Sequence, residues 1–598
     1  MGEASIRVPV AASVVQFLHR LFTRGTTRLI YWAVMIVVLW IVGLPLSAIF
    51  IASFYSGSPL DPGPFTLANY VLTYSYGPTY QALINSLLYA TTGTISGLVI
   101  GLGFAWLIER TDMPFRGLAW VLIVVPIAIP SFLLSLGYIL LLNPTNGVLN
   151  VILRWCLGFF GYTADSGPIN IYSLGGMLYV NAISGGTSSF LLLVSAFRLM
   201  DQQIEDAAMV CGATKWTTLR KVTLPVLLPA ITVATIYKFS GDLNDMDVPL
   251  LLGLQSQVYV LPTLIFFSAF YSDTVEWGLA TALSSPFILI AFGLSYIFYC
   301  VVVKNAQQQK YATVGGKTTQ SRRVRLGKWR YAALGIFLVY FLLSTGLPFV
   351  ILLWASLLPS YRVPSWEALS LVSLTNYLEL LQWPNLVPAV WNTLLLGFYT
   401  GTSVMAVAFF TSWIIIRSQF RGRFFLDALT FLPHVLPGSV VALGLVFTYL
   451  HPALAPAGLY GTLFIMALGM MVGYLPFAIR VMNGSLTQIH KELEEAGTVN
   501  GARPITVMVR VTLPLVLPAF LTGFVWVAAH AFRSLTMPLM LGSADTETLS
   551  VILFNLWERD GDFSGAAALG MGLILITAGL TILARKFIQR AFGSWERK

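Results

Sequence analysis

Residues 201–230 read DQQIEDAAMVCGATKWTTLRKVTLPVLLPA, and residues 490–519 read HKELEEAGTVNGARPITVMVRVTLPLVLPA. The two stretches align without a gap at an offset of 289 residues. Asp206-Ala207-Ala208 matches Glu495-Ala496-Gly497, and Gly212-Ala213 matches Gly501-Ala502. Val222-Thr223-Leu224-Pro225 matches Val511-Thr512-Leu513-Pro514, and Pro229 matches Pro518. An internal duplication implies two copies of one structural unit, and a loop kept similar in both copies implies a shared task.

The surroundings of the duplicated loop are apolar. The 598 residues are 57% hydrophobic and 10% charged, with a mean hydropathy of +0.78. That composition excludes an ordinary soluble domain and predicts a polytopic membrane protein. A helix needs about 20 apolar residues to cross a bilayer. Runs of that kind fall at 29–53, 82–108, 117–142, 173–197, 226–252 and 280–303, then at 331–357, 388–416, 424–450, 459–481, 515–541 and 565–588. The expected fold is therefore all-α, with about 12 spans in two parallel pseudo-repeats of six. Residues 1–303 form the first repeat, 304–330 a basic linker and 331–598 the second repeat. The first apolar run, from about residue 29 to residue 54, is too long for a signal core, so no cleavable leader is expected.

Charge sets the orientation. The net charge is +10. With the N-terminus inside, all Lys and Arg except Arg154, Lys238, Arg362, Arg533 and Arg559 fall on the inner side. Both termini and both repeated loops, about 199–225 and 485–514, are then expected in the cytoplasm. The basic balance calls for no nucleic acid. The linker reads as a solvated tether able to meet anionic lipid. Cys156, Cys211 and Cys300 show no metal-ligand spacing, and their different expected depths argue against disulfides.

Each loop opens with a polar residue able to cap a helix, Asp201 in one and Ser485 or Thr487 in the other. An acidic turn, small residues, a Gly-Ala break, a second short helix and a Leu-Pro entry to the fifth span follow. A short helix with a small-residue face and an acidic edge suits a groove on another protein, and glycine turns the chain away from it.

These residues resemble the transmembrane subunits of type I ABC importers, the binding-protein-dependent permeases. Their signature of Glu-Ala-Ala, three residues, Gly and a later Leu-Pro corresponds here to Asp206-Ala207-Ala208 with Gly212, and to Glu495-Ala496-Gly497 with Gly501. Asp stands for Glu in the first copy, beside Glu205, and Gly for Ala in the second. The resemblance covers essentially the whole chain, as two fused permease domains. It implies that Glu205, Asp206 and Glu495 give polar contacts to a cytoplasmic ATPase, that Ala207, Ala208, Ala496 and Gly497 pack closely on it, and that Gly212 and Gly501 make the turn. FAWLIERTDMPFRGL and IIIRSQFRGRFFLDALTFLPHVLPG resemble fused permeases for ferric iron. So do VPLLLGLQSQVYVLPTLIFF and TETLSVILFNLWERDGDFSGAAALG. Thiamine, a polyamine or a phosphonate are the alternative substrates.

The chain carries no GxxxxGK[ST] phosphate loop and is not expected to hydrolyse ATP itself; the resemblance implies that ATP and magnesium act on a separate ATPase, present as two copies. An extracytoplasmic binding protein and a place in the bacterial inner membrane are likewise implied by the resemblance. A gradient-driven secondary transporter is the competing class. Its usual motif between the second and third spans is not matched in order by Glu109-Arg110-Thr111-Asp112 and Arg116-Gly117. A channel or membrane assembly factor is a third class, for which no filter-like motif stands in the chain.

The repeat continues beyond the loop, where Val248-Pro249 to Gly253 matches Met537-Pro538 to Gly542. Between loop and match the halves diverge: Asp242, Asp245 and Asp247 stand in the first, His530 and Arg533 in the second. Asp242 lies about 26 Å beyond Pro225 along a helix. Charges at membrane depth face a cavity or one another, so this cluster is expected to form an outer gate or relay for a charged substrate, or else a salt-bridge latch between the halves or solvated residues at a helix end. His434 and His451, beside prolines at span ends, are expected to be packed or solvated rather than to act as ligands.

Overall fold

The computed structural model describes residues 28–200, 203–271, 276–298, 300 and 324–592. Among these, ten helices are long and apolar enough to cross a membrane. The first half supplies Arg28–Ala52, Gly77–Arg110, Leu174–Arg198, Trp216–Leu243 and Trp277–Ile297. The second supplies Trp329–Ser356, Leu386–Arg417, Leu463–Gln488, Pro504–Phe532 and Phe563–Ala584. Three bent pairs among the described residues could add to these, and Asp247–Ser256 turns by 72° into Leu261–Tyr271 in the first half. Arg116–Ile127 turns by 98° into Ser131–Leu142, and Arg423–Val435 turns by 111° into Gly438–Tyr449.

The straight spans expected at 117–142 and 424–450 are thus broken, for a local reason. Pro130 and Pro437 cannot donate a helical hydrogen bond, and each pushes the residue before it out of the helical region. Ile129 sits at φ −97°, ψ 126° and Leu436 at φ −92°, ψ 128°. The expected spans 226–252 and 515–541 are also interrupted. The fifth helix of the first half stops at Leu243 and a new one starts at Asp247. Its counterpart stops at Phe532 and restarts at Thr536.

Four other prolines are absorbed without a break. Leu39–Gly43, Leu219–Thr223, Leu342–Gly346 and Met508–Thr512 are π turns, and each is followed by Leu-Pro. Proline clashes with the carbonyl four residues back and leaves it unpaired, and the wider π turn moves that carbonyl aside. Trp216–Leu243 and Pro504–Phe532 therefore run from the repeated loop into the span as continuous helices. The separate second short helix expected in each loop is part of the span.

The halves interlock. The first span of each packs on the bent third span of the other, at glycines that let backbone meet backbone. A Cβ on Gly444 would lie 2.5 Å from the Pro45 carbonyl oxygen, and one on Gly137 would lie 2.7 Å from that of Pro348. Tyr138 spends its hydroxyl on carbonyls of the π turn, donating to Leu343 at 2.9 Å or Ser344 at 3.1 Å.

Residues 304–323 of the linker lie outside the described residues. Its last part is anchored rather than free. Val324 bridges Thr111, donating to the Arg110 carbonyl at 2.9 Å, and Leu326 N–H donates to Asp112 Oδ1 at 2.7 Å.

Candidate functional site

The two repeated loops are built alike, down to single hydrogen bonds. Gln203–Val210 and Glu492–Val499 are short helices with acidic first turns. Gly212 and Gly501 end them at φ +86° and +79°, where a side chain would be strained. The capping expectation fails in part. Asp201 lies outside the described residues, and Ser485 and Thr487 sit inside the helix Leu463–Gln488. Lys491 holds the cap position of the second loop helix without a side-chain bond.

Glu205, expected at the contact with an ATPase, does not face outward. It is buried, with Arg110 Nε 3.7 Å away and the Thr223 hydroxyl donating to it at 2.5 Å. Arg110 also donates to the Phe197 and Met200 carbonyls at 2.9 and 3.1 Å. The second half repeats the arrangement. Arg417 Nε lies 3.2 Å from Glu494, Thr512 donates to Glu494 at 3.1 Å, and Arg417 donates to the Leu486 and Ile489 carbonyls at 2.9 and 2.6 Å. In each half an arginine ending the second span thus ties the fourth span's last carbonyls to the loop helix and to the π turn of the fifth span. Such a clamp ties the loop helix to the second, fourth and fifth spans.

The outward face differs from its sequence picture too. Asp206 and Ala208 are half-buried, and Ala207, Glu495 and Ala496 are exposed. Gly497 lies against Val507, where a Cβ would stand 3.1 Å from Cγ2. The expectation passed over the exposed apolar residues. Val210 and its counterpart Val499 are 88% and 87% exposed. Ile204 with Leu493, and Trp216 with Ile505, are exposed at matching positions as well. Their signal was present in the alignment as apolar-to-apolar matches inside a polar loop.

The second site lies where the two interrupted helices meet. A cavity of about 450 Å³ is lined by Asn244, Asp245 and Asp247 from one break, by Arg533, Ser534 and Thr536 from the other, and by His530 and Tyr474. Asp245 accepts a 2.5 Å bond from Tyr89, and Asp247 one of 2.5 Å from Ser131. Asn244 donates to the His434 carbonyl at 2.8 Å, and Arg533 donates to the Ile127 carbonyl. Those two carbonyls are orphans. Each precedes a proline by three residues, so the N–H that would close its turn is missing.

Asp242 stands apart from this cavity. It is buried against Lys238 one helical turn earlier and takes a 3.4 Å bond from Thr94. Of the acids expected at the gate or latch, Asp242 is the one that pairs within its own helix and does not line the cavity. His434 is packed, stacked on Tyr237 at 4.0 Å between ring centres, while His451 is exposed.

Residues 93–309 and 324–593 each match the family of binding-protein-dependent transport system inner membrane components. The chain belongs to that family. It is a multi-pass permease component of an ABC importer, which sets aside gradient-driven transport. Similar curated proteins include a putative ferric transport system permease protein of Haemophilus influenzae, 25% identical over 537 residues, covering 88% of this chain and 79% of the relative. A ferric transport system permease protein of Actinobacillus pleuropneumoniae is 24% identical over 561 residues, covering 92% and 76%. A probable sulfate transport system permease protein of Nephroselmis olivacea is 29% identical over 290 residues, covering 46% of this chain and 94% of the relative. Among solved structures, a bacterial ABC transporter that imports alginate is 20% identical, covers 44% of this chain and 94% of its own, and has a TM-score of 0.37.

Proposed function

We propose that this permease imports ferric iron handed over by an extracytoplasmic binding protein, driven by two cytoplasmic ATPase subunits that dock on the repeated loops. The observation that carries the ATPase part is the duplicated loop itself: a glutamate clamped inward and a valine, Val210 or Val499, held out at matching positions. ATP and magnesium act on the partners. Closure of the ATPase pair pushes the loop helices, and the Arg110–Glu205 and Arg417–Glu494 clamps pass the push to the second, fourth and fifth spans. Asp206 and Glu495 give the polar rim of the contact. The termini and linker then lie in the cytoplasm, as the distribution of basic residues favours.

Ferric iron rather than an oxyanion is supported by the cavity as well as by the names of the full-length relatives. Two carboxylates against one guanidinium leave it net negative, which repels sulfate and attracts a cation. Uptake of radiolabelled ferric iron by cells carrying the chain with its ATPase and binding protein tests the reading. Uptake lost on ATP depletion is the expected result. Iron uptake that is indifferent to the chain, with sulfate uptake dependent on it, would move the substrate to the oxyanion class.

A further inference from the structure

The cavity between the helix breaks brings two carboxylates of one half to a guanidinium of the other without a direct ion pair. Among the described residues no ion pair joins Arg533 to Asp245 or Asp247. Each is held by neutral groups instead. Tyr89 and Ser131 donate to the carboxylates, the Asp247 N–H donates to Asp245 Oδ1 at 3.1 Å, and Arg533 donates to a backbone carbonyl. Asn244 Oδ1, on the same wall, is buried without a hydrogen-bond partner. Charged groups inside a membrane protein are costly, and those that line a cavity without a direct ion pair mark the path of a charged solute. Helices broken at matching points of two repeats are the usual way to bring backbone and side-chain groups to such a solute.

The size and the donor set narrow the solute. About 450 Å³ admits a small molecule rather than a bare ion. Among the described residues no group of three or more His, Cys, Asp or Glu side chains could hold a metal ion. Two carboxylates cannot replace the full oxygen shell of a hard multivalent cation, so such a cation keeps ligands of its own. The charges come from opposite repeats. The first half contributes the acids, and its counterparts of Asp245 and Asp247 in the second half are Ser534 and Thr536. The guanidinium comes from the second half alone, where the first half has Asn244. A solute negative at one end and positive at the other fits this polarity, and a planar guanidinium suits a carboxylate or phosphate oxygen.

We propose that the cavity is a transit site for a multivalent cation that keeps an anionic oxygen ligand, with the cation against Asp245 and Asp247 and the anionic ligand against Arg533. The proposal rests on the import reading above and names the form in which the solute crosses.

The full-length chain, purified in mild detergent, is titrated with ferric citrate, with citrate alone and with hexaamminecobalt(III), a cation whose ligands are neutral. Ferric citrate is expected to bind best. Asp247→Asn and Arg533→Gln are each expected to weaken it by about tenfold or more, as loss of one charge-assisted contact does. Asp247→Glu and Arg533→Lys are expected to recover part of the affinity, which separates charge from folding. Binding insensitive to both substitutions, or sensitive to only one, overturns the two-ended site. So does citrate alone binding as tightly as ferric citrate. The same preparations are scored for co-purifying ATPase. ATPase retained with no ferric citrate bound overturns the site alone, and ferric citrate bound by a chain that recruits no ATPase overturns the import reading alone.

Discussion

Asn244 and Arg533 occupy matching positions in the two helix breaks, and each donates across the molecule to a carbonyl of the opposite half. The acceptors, His434 and Ile127, also match, at the corners of the two bent spans. Proline leaves both carbonyls without a local donor, so the halves complete each other's backbone.

Removing one of them exposes its cost. Asn244→Leu leaves the His434 carbonyl unpaired and is expected to lower stability by about 1–3 kcal/mol. Thermal unfolding of the detergent-purified chain measures it. An unchanged melting temperature would mean that water replaces the side chain there.

The clamp on each loop helix gives a second expectation. Glu494→Ala strands the guanidinium of Arg417, whose side chain is only 6% exposed, and breaking such a buried pair costs about 3–5 kcal/mol. Local loosening is the outcome expected, read as faster amide exchange over residues 492–501 with the spans unaffected. Exchange equal to that of the unaltered chain would remove the clamp from the coupling account.

The exposed valines give a third. Val499→Asp places a charge where an apolar side chain is offered to a partner. It should weaken ATPase co-purification by about tenfold, roughly the value of burying one such side chain, and Val210→Asp with it should abolish co-purification. Charge reversal at Asp206 and Glu495 should weaken the same contact less, since rim charges contribute less than the packed centre.

Packing between the halves gives a fourth. Gly444→Ala forces a methyl to within 2.5 Å of the Pro45 carbonyl oxygen and should cost about 1–3 kcal/mol. Gly335→Ala meets nothing within 4 Å and should leave the melting temperature unchanged or raise it. Equal effects from the two would show that the close approach is not maintained in the bilayer-extracted protein.

Much of this protein could be read from its residues, and the reason is that the governing signals are local. Apolar runs of bilayer length determine the spans, and the 289-residue offset determines the duplication and the place of the loop. Gly212 and Gly501 fall where the loop helices end because a left-handed turn favours glycine over a short range of chain. The pairing of an acidic first half with a basic second half was legible for the same reason.

The sequence did not settle which way a side chain faces or where a span breaks. Glu205 and Asp206 are neighbours, and either could have been the outward acid. Arg110, 95 residues earlier in the chain, decided it by burying Glu205. Pro130 and Pro437 break their spans, while Pro225 and Pro514 are absorbed in π turns, and the presence of proline alone does not tell the two outcomes apart. Asp242 left the cavity for Lys238, while Asp245, two residues beyond the helix end at Leu243, entered it. Hydropathy and repetition are properties of the chain taken piece by piece. The facing of a helix and the satisfaction of a freed carbonyl depend on what packs beside them, so only the assembled bundle determined them.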